Sequence, residues 1–81
     1  MNVKVLLFAH TREIVGSADI QIDIERGSTG EALLDKLERL YPEMGKHRPY
    51  LKLSMNGTYL ANTQEIEENA EVAVFPPVSG G

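Results

Sequence analysis

One segment of helical length stands among five short alternating runs, and this imbalance limits how the chain can bury a core. Residues 28–41 carry Leu33, Leu37 and Leu40 at helical spacing, with Leu34 and Tyr41 widening the stripe. Ser28 is placed to cap this helix, with Glu31 as the reciprocal partner of a capping box. Pro42 ends it, because the residue before a proline is pushed out of the helical region. The other apolar runs have period two. In residues 3–9, Val3, Val5, Leu7 and Ala9 share one face; Lys4, Leu6 and Phe8, with His10 in the same phase, share the other. In residues 19–25, Ile20, Ile22 and Ile24 alternate with Asp19, Gln21, Asp23 and Glu25. Leu51, Leu53 and Met55 mark a third strand. Asn56-Gly57 then predicts a tight hairpin, since both turn positions need positive φ, and Thr58-Tyr59-Leu60 returns. Residues 62–69 are polar around the single anchor Ile66, and Glu71 to Phe75 is the last strand. Residues 11–15 read as a short helical turn and Gly45 to Pro49 as a loop.

Eighty-one residues, 42% of them hydrophobic, make one small domain. With the order strand, strand, helix, strand, strand, strand, the economical way to bury one core is a helix packed on one face of a mixed sheet. The expected fold is therefore α+β, of the β-grasp or ubiquitin-like arrangement, with the first and last strands parallel at the sheet centre. Residues 1–75 form the expected domain and 76–81 an extended, flexible C-terminal tail.

The net charge of −4 argues against nucleic acid as a partner, because phosphate binding draws on clustered Lys and Arg. The absence of cysteine excludes a disulfide framework, a thiolate metal site and a cysteine persulfide. No stretch approaches the roughly 20 apolar residues of a membrane span, and residues 1–8 are too short and too alternating for a signal peptide. A cytoplasmic protein with no membrane partner is expected. His10 and His47 lie far apart in sequence, so surface histidines are expected rather than a metal site. Glu65, Glu67, Glu68 and Glu71 read as a solvated face. No nucleophile elbow and no glycine-rich phosphate cradle is present, hence no self-contained active site and no cofactor of the chain's own.

Two surface features remain. The last strand runs into Pro76-Pro77-Val78-Ser79-Gly80-Gly81. The prolines pre-extend this segment and lower its ordering cost on binding. Gly80 and Gly81 lack Cβ, so their backbone can approach another backbone or a nucleotide closely. Fully extended, the segment reaches on the order of 20 Å, enough to enter a deep pocket and offer the Gly81 carboxylate for activation. A frayed terminus is the alternative, but the order strand, stiff Pro-Pro, small residues favours the functional reading. The second feature follows from alternation. If Val3, Val5 and Leu7 face the helix, then Leu6 and Phe8 face away, as do Ala73 and Phe75 if Val72 and Val74 point in. With the two strands adjacent, these four would form an apolar patch at the root of the tail, a mark of protein contact unless a loop or Tyr59 covers it. Arg12 could pair with a partner carboxylate, but its residue type alone favours a solvated charge.

The run Val5-Leu6-Leu7-Phe8-Ala9, then Arg12-Glu13 and Gly16, and the end from Glu71 to Gly81 resemble the MoaD family, the small sulfur-carrier subunits of molybdopterin synthase. Tyr41-Pro42 and Asn56 also fit, and the resemblance spans essentially the whole chain. It implies that a ubiquitin-activating-like adenylyltransferase uses ATP to adenylate Gly81, which then becomes a thiocarboxylate. It implies a large catalytic subunit, joined in a heterotetramer, where sulfur passes to cyclic pyranopterin monophosphate in molybdenum cofactor biosynthesis. Gly81, preceded by Gly80, is then the reacting group. Phe8, Arg12 and Phe75, with Pro76, Pro77 and Val78, are then interface residues. A thiazole-pathway carrier, or a ubiquitin-like modifier attached through Gly81, are the alternatives. One departure stands out: the family usually has Gly-Asp before the last strand, and this chain has Asn69-Ala70. Asn can still adopt the left-handed turn, but no Asp at position 70 can cap it.

Overall fold

Alternation builds the sheet. In β1 (Asn2–Leu7) the side chains of Val3, Val5 and Leu7 are buried, and in β5 (Glu71–Phe75) so are Val72 and Val74. The computed structural model describes residues 1–77. β1 is followed by α1 (His10–Val15), β2 (Asp19–Asp23), α2 (Gly30–Leu40), α3 (Met44–His47), a 3-10 turn (Arg48–Tyr50), β3 (Lys52–Met55), β4 (Thr58–Leu60) and β5. The strands form one sheet in the order β2-β1-β5-β3-β4. β1 and β5 pair in parallel at its centre, while the other neighbours are antiparallel. This is the expected β-grasp.

The helix lies on one face of this sheet. Leu33, Leu34 and Leu37 are buried with the inward valines, Leu53 and Leu60. Full burial of each such side chain contributes about 1.5–3 kcal/mol. The approach is close at Gly30, where a Cβ would come within 2.8 Å of Leu53 Cδ1 and 3.2 Å of the Ala61 carbonyl.

Several boundaries differ from expectation, each for a local reason. Thr29, not Ser28, caps α2: its side chain accepts from the Ala32 N–H at 3.2 Å. The Ser28 carbonyl is already committed, accepting from the Ile66 N–H at 2.8 Å, so the helix begins one residue later. Glu31 is then not at the capping-box position. It faces Arg48, as do Asp35 and Glu38, one helix face at i, i+4 and i+7. The Asp35 hydrogen bond leads the causes that raise the Arg48 pKa above its ordinary value, with Glu38 adding to it against partial burial. This cluster ties Arg48 to α2, and the expected loop over 45–49 instead falls within two short helical turns, Met44–His47 and Arg48–Tyr50. Leu40 is 51% exposed rather than in the core, and Met44 from α3 is buried instead.

β1 stops at Leu7, so Phe8 and Ala9 lie outside it and Ala9 does not share the inner face. The chain turns through Ala9 at φ 53° and ψ −126° into α1. The Asn56-Gly57 turn has the expected positive φ at both positions, and Asn69 takes a left-handed φ of 60°. The cap missing at position 70 comes from elsewhere: Asn56 Oδ1 accepts from the Glu71 N–H at 3.0 Å.

Candidate functional site at the root of the tail

β5 is flanked on both sides, so the chain leaves the sheet from a paired strand rather than an edge. Register lines up its outward residues. Leu6 lies opposite Ala73, Ala73 opposite Ser54 and Ser54 opposite Tyr59, which makes a row across the open face. Phe75 lies opposite Lys52 at the end of the ladder. Leu6, Ala73 and Phe75 are half-buried, and Phe8, beyond the end of β1, is 48% exposed. Tyr59 belongs to the same face but is 64% exposed itself, so it widens the apolar surface without closing it off. Leu6, Ala73 and Phe75 therefore share one open face of the sheet, and Phe8 is exposed just beyond the end of β1.

Pro76 is half-buried and Pro77 exposed; Val78, Gly80 and Gly81 lie outside the described residues. Arg12 is exposed on α1 and has no ion-pair partner among the described residues. Charges flank this face: Lys52 lies opposite Phe75, Asp19 opposite Leu6, and Lys4 and Glu71 form a half-exposed pair at 3.8 Å, worth at most about 1 kcal/mol.

Sequence reasoning missed two features here. His10 and His47 stack, with ring centroids 5.5 Å apart and planes 13° from parallel. Imidazole lone pairs lie in the ring plane, so rings stacked in this way cannot aim at one metal ion. Among the described residues no cluster of three His, Cys, Asp or Glu could hold one. Thr11 is the other feature. It is fully buried, and its hydroxyl lies 2.7 Å from the Phe8 carbonyl and 3.1 Å from the Val74 carbonyl. No spacing pointed to it, because the chain between Leu7 and Thr11 is neither one strand nor one helix: it turns through Ala9 into α1.

The ThiS family model matches residues 5–81. The chain belongs to the ThiS family. Relatives within reach of this ThiS-family chain carry the name molybdopterin synthase sulfur carrier subunit. The one from Arabidopsis thaliana is 35% identical over all of this chain and 84% of its own length. That from Dictyostelium discoideum is 38% identical over 96% of this chain and 94% of its own. The resemblance to MoaD read from the end motifs therefore holds along the whole chain. Among solved structures, SAMP1 from Haloferax volcanii superposes with a TM-score of 0.83 at 28% identity, covering both chains fully. A putative molybdopterin converting factor subunit 1 from Pyrococcus furiosus gives 0.86 at 23% identity, over 96% of this chain and 99% of that one, and speaks for the fold. No helix among the described residues of this ThiS-family chain is long and apolar enough to cross a membrane.

Proposed function

We propose that this chain is the sulfur carrier of a molybdopterin synthase, with the Gly81 carboxylate as its reacting group. The observation that carries the reading is the full-length similarity to proteins of that name, at up to 38% identity among those compared. The fold supports it, since a central strand delivers the Pro-Pro segment beside an open apolar face. Attack of the Gly81 carboxylate on the α-phosphate of ATP gives an acyl-adenylate and releases pyrophosphate. A sulfur nucleophile then displaces AMP and leaves a thiocarboxylate. Transfer of that sulfur to cyclic pyranopterin monophosphate, with water restoring the carboxylate, closes the cycle. ATP is consumed on a ubiquitin-activating-like adenylyltransferase, and the carrier supplies no cofactor of its own.

The chain's own residues do two things in this scheme. Residues 76–81 act as an extended tail that brings Gly80 and Gly81 into a partner's pocket. Phe8, Leu6, Ala73 and Phe75, with Arg12 beside them and Pro76, Pro77 and Val78 beyond, form the surface that docks on the large catalytic subunit. The pair acts in the cytoplasm as a heterotetramer.

One observation favours a second reading, a ubiquitin-like modifier joined through Gly81 to lysines of other proteins. A further Haloferax volcanii structure, named small archaeal modifier protein 1, superposes with a TM-score of 0.82 at 24% identity, a likeness of fold. SAMP1 itself is 28% identical. Intact mass separates the two. After incubation with ATP, an activating enzyme and a sulfur source, the carrier reading expects the mass gained when one oxygen is replaced by sulfur. Higher-mass conjugates without that gain would replace it with the modifier reading.

A further inference from the structure

β1 and β5 separate at the end of the sheet. Their last paired residues are Leu7 and Val74. Beyond that point β1 turns through Ala9 into α1, while β5 runs on through Phe75. Thr11 fills the fork between them and has no exposed surface. Its Oγ1 accepts from the Phe8 N–H at 3.0 Å and reaches the Phe8 carbonyl at 2.7 Å and the Val74 carbonyl at 3.1 Å. A hydroxyl has one proton, so the two carbonyls share it.

Two consequences follow. The Val74 carbonyl and the Phe75 N–H belong to one planar peptide unit, so holding the first aims the second and with it the chain beyond. Phe8 is held through both its N–H and its carbonyl, so the same hydroxyl positions the other outward phenylalanine. Packing alone would not call for this group. A valine has nearly the shape of threonine, and a buried hydroxyl gains nothing over a methyl unless it is bonded. Here every bond it makes goes to a peptide unit flanking Phe8 or Phe75.

On the carrier reading, on which this rests, we infer that Thr11 is a positioning residue for sulfur delivery. Its hydroxyl sets the direction in which the tail leaves the sheet and holds Phe8 and Phe75 in one arrangement. It touches neither sulfur nor substrate and acts through the Val74–Phe75 peptide.

The test compares Thr11→Val with Thr11→Ser in the full chain, charged as the thiocarboxylate and mixed with saturating large subunit. Thr11→Val is expected to lower the single-turnover transfer rate by about 10–100-fold, the scale on which small misplacements act. It should also accelerate amide hydrogen exchange at Phe75. Thr11→Ser keeps the hydroxyl and should restore both values to near wild type. Unchanged transfer and unchanged Phe75 exchange in a folded Thr11→Val variant would overturn the inference. If Thr11→Val does not fold, Thr11→Ser decides: near-normal transfer supports the hydroxyl's role, and slow transfer sinks it. A wild-type chain that moves no sulfur overturns the carrier reading instead. Phe75 exchange in Thr11→Val then judges the positioning role alone, acceleration supporting it and no change refuting it.

Discussion

The two faces of the central strand pair share one backbone and differ in almost everything else. On the inner face Val3, Val5, Val72 and Val74 have no exposed surface, and α2 closes over them. On the outer face Leu6, Ala73 and Phe75 are half-buried, and Phe8 stands out beyond the end of β1. Side chains alternate across a strand, so neighbouring residues can serve stability and recognition independently. That separation suits a small carrier: its core can be complete while a hydrophobic surface beside the tail stays open for a partner.

The comparison can be broken at three places. The largest effect is expected at the tail. Deleting Gly81 should abolish sulfur transfer and leave the denaturation midpoint of the domain unchanged; measurable transfer by the truncated chain would remove the terminal glycine from the chemistry. Next comes the inner face. Leu53→Ala, at a fully buried position against Gly30, should cost about 2–5 kcal/mol of stability in chemical denaturation. Its affinity for the large subunit, per folded molecule, should stay close to wild type. A marked loss there would show that the two faces are coupled. The smallest effect belongs to the outer face. Phe8→Glu or Phe75→Ala should weaken binding to the large subunit by about 1–3 kcal/mol in titration calorimetry, the range for anchoring aromatics. Their unfolding curves should change less than that of Leu53→Ala. Unaltered binding in both variants would assign the docking surface elsewhere.

Much of this could be read before any coordinates. Period-two runs marked the five strands, and the leucine stripe marked α2. Asn56-Gly57 and Asn69 announced left-handed backbone, which the φ values bear out. The open apolar face also followed from alternation, once the first and last strands were made neighbours. Boundaries were harder. Ser28 looks as good a cap as Thr29, and only the pairing of the Ser28 carbonyl with Ile66 chooses between them. Leu40 keeps the helical spacing yet emerges into solvent, because Met44 is the one buried there. Residues 45–49 carry loop-like composition, and they take helical turns because Arg48 finds three carboxylates on α2.

Spacing along the chain, then, was enough to dictate the five strands, α2, and the division of β1 and β5 into two faces. These are local properties, set by the few residues on either side. Closure of the fold had to supply the rest: Thr11 against Val74 across 63 positions, His10 stacked on His47, and the capping of Glu71 by Asn56. Such contacts join groups whose separation in sequence carries no period. Which pairs meet depends on how the whole sheet and its helices close around the core.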